Sequence, residues 1–189
     1  MSFFTEPKNA GLALMVVAVL NIIAGIVGIY DGATNGFDTG AVVVSVGAII
    51  CAIIFLLFGM KLKDGMFSKI EIVSNYVRVI GTTTILGGVF AIGYVANGVD
   101  GAVGASIVTI VFGLIIMWCA SKIGDGKVGV VDKIIWIILV IIMVFCILAS
   151  IISLLDFFLG TIIAICDIIV YVFMLLLLLD GDVKSKMGM

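Results

Sequence analysis

The sequence predicts an all-α fold, a polytopic membrane helical bundle of six transmembrane helices arranged as three hairpin repeats. Three observations carry that prediction. Of 189 residues, 64% are hydrophobic and 12% charged, and the mean hydropathy is +1.46. Soluble domains are roughly half apolar and a quarter charged, so a water-soluble globule of this size has no room to hide so much apolar surface. Six apolar stretches reach the ~20 residues that cross a hydrocarbon core. Under a six-span arrangement, all ten basic residues fall on one side of the bilayer.

The spans run approximately 10–30, 41–60, 77–98, 102–121, 134–156 and 157–179. The first has too long an apolar core for a cleaved signal peptide, and its head carries Glu6 beside Lys8 rather than a basic cluster. The longest connection, Lys61 to Tyr76, mixes Met66, Phe67, Ile70, Ile72 and Val73 with charges. It is expected to lie along the interface as a short helix. The last two spans form one apolar run of 46 residues, divided at Asp156 because a single helix of that length far exceeds a membrane. The whole chain, 1–189, reads as one transmembrane domain.

The basic residues fix the orientation. Lys8, Lys61, Lys63, Lys69, Arg78, Lys122, Lys127, Lys133, Lys184 and Lys186 share one side, and the opposite loops hold Asp31, Asp38, Asp100 and Asp156. The positive-inside rule places both termini in the cytoplasm of a cell-membrane protein. Trp118, Trp136 and Tyr76 are predicted at the cytoplasmic boundary, with Tyr30 and Tyr94 at the outer one, as an aromatic belt.

The even-numbered spans repeat a pattern. Each opens near an outer Asp (Asp38, Asp100, Asp156) and closes at an inner Asp-Gly pair (Asp64-Gly65, Asp125-Gly126, Asp180-Gly181). The Asp-to-Asp spacings are 26, 25 and 24, giving hairpin repeats of approximately 1–65, 66–126 and 127–189. An Asp ahead of a helix accepts its free N–H groups, and a Gly just past a helix end takes up the left-handed cap. The spans also carry small faces: Ala18, Asn21, Gly25 and Gly28 in the first, Ala41, Ser45, Ala48, Ala52 and Gly59 in the second. The third has Gly81, Thr84, Gly88, Ala91 and Gly98, and the fourth Ala102, Ser106, Thr109, Gly113 and Ala120. Such faces let membrane helices approach closely.

The last two spans differ, with Cys146, Ser150 and Ser153 on one face of the fifth and Gly160, Ala164, Asp167 and Tyr171 on one face of the sixth. Asp167 is the eleventh residue of its 23-residue span and therefore sits near mid-bilayer. An ionised Asp there costs about 2.5–3.5 kcal/mol even on the lenient insertion scale. Arg78 is nearest in depth but about 15 Å away along the bilayer normal. Asn21, Thr84 and Tyr171 are the in-chain groups expected at its level. Three readings stay open: a proton- or cation-binding carboxylate, a protonated structural acid hydrogen-bonded to Asn21, or half of a pair with a basic group on another chain.

Several chemistries are disfavoured. There is no histidine, and Cys51, Cys119, Cys146 and Cys166 are singly spaced in apolar runs. That gives no disulfide framework, and no metal site or cofactor is expected. The G-x-G-x-x-G at Gly124–Gly129 links two membrane helices rather than opening a βαβ unit, so it is set aside. Asp31 to Gly36 starts like a calcium loop, but Ala33 and Val42 occupy ligand positions.

The layout of three hairpins, about 190 residues and glycine-rich helices resembles the small six-helix HdeD-like membrane proteins of prokaryotes. The resemblance implies a stress-linked inner-membrane protein and carries over no site residue. It departs from that family's habit of ending the first helix of each hairpin near a proline, since Pro7 is the sole proline here. From the residues themselves, the expected function is non-enzymatic: a structural element or a subunit of a membrane complex. The alternative is a small ion- or proton-coupled carrier or channel with a midplane site at Asp167. The expected partners are the lipid bilayer and either a second copy of the chain or another membrane protein, with no role for nucleic acid.

Overall fold

A computed structural model of the chain describes residues 3–34, 38–98, 101–125, 128–154 and 158–189, with only backbone described at 96, 97 and 158–160. Seven α-helices follow in order: α1 (Pro7–Thr34), α2 (Thr39–Lys63), α3 (Lys69–Ala91), α4 (Ala102–Ile123), α5 (Val130–Ser153), α6 (Phe158–Leu178) and the short α7 (Gly181–Lys186). A 3-10 segment, Ile92–Asn97, extends α3. Among the described residues there is no strand. Among the described residues, six helices are long and apolar enough to cross a membrane. Their outward sides are lined with large apolar groups such as Val108, Phe112 and Phe145, each more than half exposed. The protein is a membrane-spanning all-α bundle.

Helix ends follow their sequences. Asp38 caps α2, accepting from the Ala41 N–H at 2.8 Å. Ser68 and Glu71 form a capping box at α3, with the Glu71 carboxylate accepting from the Ser68 N–H at 2.8 Å and from its hydroxyl at 2.7 Å. That box corrects the expected interfacial helix. Residues 69–76 are the first two turns of α3 itself, because Ile72, Val73, Tyr76 and Val77 continue one buried stripe into the membrane span. Tyr76 is accordingly a core residue at 3% exposure and not part of an aromatic belt, whereas Trp118 and Tyr30 are exposed. Asp180 also departs from the repeat pattern: it caps α7, accepting from the Asp182 N–H at 3.0 Å, and does not close α6 through a left-handed glycine. Gly65 does take the left-handed turn after α2, at φ 67°. Asp100, Asp156 and Gly126 lie outside the described residues.

The helices pair as three antiparallel hairpins, α1–α2, α3–α4 and α5–α6, and these join through α2–α3 and α1–α6. Neighbours therefore run α5, α6, α1, α2, α3, α4 around a ring, and α4 and α5 touch only sparingly where it would close. Reciprocal glycines seal the first two hairpins. A Cβ on Gly11 would stand 2.6 Å from the Gly59 carbonyl oxygen, and one on Gly59 would stand 2.9 Å from that of Gly11. Gly81 and Gly113 repeat the arrangement, at 3.2 and 3.0 Å from each other's carbonyl oxygens. Backbone-to-backbone approach of this kind maximises dispersion contact where no hydrophobic effect acts between helices. The third hairpin has no such device: α5 contains no glycine, and its large aliphatic side chains hold α6 further away.

The large buried side chains concentrate at the basic end. Leu62, Val73, Met174, Leu178, Val183 and Met187 are almost completely enclosed there, and Phe58 packs against Phe67 and Tyr76 with ring centroids 6.0 and 6.1 Å apart. In the opposite half the buried positions are mostly Gly, Ala and Ser, including Gly25, Gly47, Gly88, Ser106, Ser150 and Ala164. One end of the bundle is thus a filled core, and the other is a set of helix pairs.

Polar contacts clamp α7 onto the filled end. Lys69 Nζ donates to Asp180 at 2.8 Å and to Asp182 at 3.1 Å. The Lys69 ammonium holds the Asp180 carboxyl below its ordinary value. Trp136 Nε1 donates to the Leu178 carbonyl at 2.7 Å, and the Lys184 ammonium lies 5.8 Å from the centre of the Trp136 ring.

Candidate functional site

The wider spacing of α5 and α6 leaves a cleft of about 380 Å³. Its walls are the two faces expected from the sequence: Cys146, Ser150 and Ser153 from α5, and Ala164, Asp167 and Tyr171 from α6. Helical spacing explains the match, because positions three and four apart share a stripe and lie over one another. Asp167 is the tenth residue of α6, midway along it, and is half-buried. Tyr171 sits one turn nearer the basic end on the same stripe. Among the described residues, no hydrogen bond or ion pair reaches the Asp167 carboxylate.

The other two candidate residues lie elsewhere. Asn21 lines a separate groove of about 390 Å³ between α1 and α2, together with Ser45, Cys51 and Phe55. The Thr84 hydroxyl donates to its own helix, to the Ile80 carbonyl at 2.8 Å. The ring order accounts for this division. The small face of α1 turns toward α2, where Gly25 meets Ser45 and Ile49, while α6 turns Asp167 toward α5. The structure therefore brings Asp167 and Tyr171 together and leaves Asn21 and Thr84 apart from them.

Toward the basic end, the Asp167 cleft is followed by buried apolar packing. Val170, Phe173, Met174 and Leu177 on α6 and Tyr76 on α3 are all buried there, between the cleft and the filled end of the bundle. Toward the other end, Cys146, Ser150 and Ser153 continue along α5 as a polar edge. The Ser153 hydroxyl donates to the Ala149 carbonyl at 3.2 Å.

Two further features bear on chemistry. Ser106 on α4 is 1% exposed, and its Oγ is the buried side-chain polar atom without a hydrogen-bond partner among the described residues. The sequence marks Ser106 as part of a small face but gives no sign that its hydroxyl is left unpaired. No group of three His, Cys, Asp or Glu side chains that could hold a metal occurs among the described residues. No protein-family model, curated protein or solved structure matches this chain.

Proposed function

We propose that this chain is a non-enzymatic subunit of a membrane complex, in which the α5–α6 cleft receives a basic or hydrogen-bond-donating group from a second membrane-embedded segment. The observation that carries this reading is the Asp167 carboxylate, which is mid-helix, faces a cleft and has no partner among the described residues. A carboxylate at that depth is costly alone, and intramembrane ionisable groups pair with one another or with other polar groups. The packed apolar core beneath it favours a docking site over a through-path. The sparse α4–α5 seam and the exposed apolar side chains of these two helices, such as Phe112 and Phe145, offer apolar surface that a neighbouring helix would cover.

Native mass spectrometry of the tagged chain, extracted from its own membranes in mild detergent, tests the reading. The expected result is a heteromeric or homomeric assembly whose occupancy falls at least about tenfold in Asp167→Asn, the equivalent of about 1.4 kcal/mol. A chain that is monomeric, stable and unchanged by the substitution would refute it.

A second reading has its own support in the Ser153–Ser150–Cys146 edge, which runs along α5 from the side opposite the basic end to Asp167. In that reading the cleft is the outward-facing site of a small ion- or proton-coupled carrier, with the residue near the midplane as in many transporters. Ion or proton flux into liposomes that Asp167→Asn abolishes would favour it. Flux that survives the substitution would remove Asp167 from any carrier role.

Both readings place the chain in the cell membrane with both termini cytoplasmic. The support is the clustering of Lys61, Lys63, Lys69, Lys122, Lys133, Lys184 and Lys186 around the filled end. Labelling of Lys184→Cys by an impermeant thiol reagent in inverted but not right-side-out vesicles is the expected result. The three hairpins are read as copies of one unit, supported by the similar spacing of Asp38 to Asp64, Asp100 to Asp125 and Asp156 to Asp180 in the sequence.

A further inference from the structure

A second polar cavity, of about 350 Å³, opens at the basic end beside α3, the end of α4 and α7. We propose that it binds the phosphate group of an anionic lipid headgroup, with Arg78 as the principal ligand and Lys186 as the second cation. This proposal is independent of the role of Asp167.

Arg78 is the sole arginine, and it is exposed. Among the described residues it has no ion pair, whereas Lys63, Lys69 and Lys122 each have an acidic partner. Two interhelical contacts fix its depth. The Ser74 hydroxyl donates to the Ala120 carbonyl at 2.9 Å, and the Thr82 hydroxyl meets the Met117 sulfur at 3.4 Å. Arg78 lies between these levels on α3, at the height of the exposed Trp118 on α4. An exposed Trp and a long basic side chain at one depth mark the boundary between hydrocarbon and headgroups. A guanidinium there needs an anion or water, and its planar fork matches two phosphate oxygens.

The rest of the cavity suits the same ligand. Lys186 is held in place by α7, whose Val183 and following Met187 are buried and whose start is clamped by Lys69. The Asn75 side chain lines the cavity with no hydrogen bond among the described residues, leaving its amide free to donate. Glu71 also lines it; its carboxylate accepts from the Ser68 cap and is attracted by the Lys186 ammonium. Two cations against one engaged carboxylate leave the cavity net positive. Ile123 and Val128 supply an apolar wall for the glycerol and upper acyl chain. Basic pockets between transmembrane helices on the cytoplasmic side are a general means of holding anionic headgroups.

The test uses the full chain in detergent, exchanged into phosphatidylglycerol or phosphatidylcholine, with bound lipid read by native mass spectrometry. Phosphatidylglycerol should be retained at collision energies that strip phosphatidylcholine. Arg78→Gln should reduce that retention about fivefold, the effect of one basic residue at a lipid surface. Arg78→Lys should fall between the two, since it keeps charge but loses the fork. Lys61→Gln, on the same end but outside the cavity, should leave retention unchanged. Equal retention of the two lipids, full retention in Arg78→Gln, or an equal loss in Lys61→Gln would each overturn the site. So would inorganic phosphate at millimolar concentration displacing the lipid, because the ligand would then be a soluble anion. If Arg78→Gln fails to fold, as judged by Trp fluorescence, Lys186→Gln carries the same measurement, with loss of phosphatidylglycerol supporting the site and full retention overturning it.

Discussion

Gly113 and Gly104 lie on the same helix, α4, and predict opposite outcomes for one chemical change. A Cβ on Gly113 would stand 2.9 Å from the Ile85 backbone nitrogen and 3.0 Å from the Gly81 carbonyl oxygen, with the Ile85 side chain at 2.6 Å. The two backbone atoms belong to the facing helix and have no rotamer to change, so α3 and α4 must separate by several tenths of an ångström. A Cβ on Gly104 would meet nothing within 4 Å. Both substitutions replace a helical glycine by the better helix former, worth about 0.8–1.0 kcal/mol in a helix interior and less at Gly104, the third residue of α4, so most of that gain cancels on comparison. What is left is the overpacking cost, typically about 1–3 kcal/mol. Gly113→Ala is therefore expected to be about 1–3 kcal/mol less stable than Gly104→Ala. Reversible unfolding in mixed micelles, titrated with denaturing detergent and followed by Trp fluorescence, measures the difference directly. Equal midpoints and slopes for the two variants would mean that α3 and α4 are not in backbone contact, and the glycine-sealed hairpin would have to be abandoned.

Other outcomes follow from the filled end. Phe58→Ala removes a buried ring that packs on Phe67 and Tyr76, and should cost about 3–5 kcal/mol in the same titration. Trp136→Phe removes the indole donor to the Leu178 carbonyl and should cost about 1–3 kcal/mol, because that acceptor loses its partner in a partly buried place. The Asp180 clamp predicts a pH response. Its folded carboxyl titrates below the ordinary 3.8, so its contribution is complete above that value and is lost as pH falls through it toward the lowered folded one. Release of α7 in that acid range should shift Trp136 fluorescence, since Lys184 lies over the ring. The shift should be absent in Asp180→Asn, and its persistence there would assign the response to another group.

The sequence is most informative where one helix alone sets the answer. Span number, the stripe carrying Cys146, Ser150 and Ser153, and the stripe carrying Asp167 and Tyr171 all follow from period and hydropathy, and they meet in one cleft. The start of α3 was less legible, because the charged residues between Lys61 and Tyr76 hide a buried stripe that only packing against Phe58 and Leu62 makes sense of. Asn21 and Thr84 illustrate the main gap. Depth along each helix is readable, but the order of helices around the ring is not, and that order turns Asp167 toward α5 and Asn21 toward α2. The Asp180-Gly181 pair looks like the two earlier Asp-Gly ends in sequence, yet a following α7 converts it into an N-cap. The basic-end cavity depends on α7 in the same way, since Lys186 and Arg78 are separated by more than a hundred residues.

The glycine seals also bear on how the chain assembles during synthesis. Each sealed pair is formed from helices adjacent in sequence, so α1–α2 and α3–α4 hold their own principal contacts as soon as they have been inserted. Such local contacts close early and quickly. The last pair is different: α6 leans on α1 nearly as much as on α5, so its final position waits on a partner made several helices earlier. Insertion of the third hairpin is thus the step that joins α6 to α1, and the step most exposed to delay or to capture by another membrane protein.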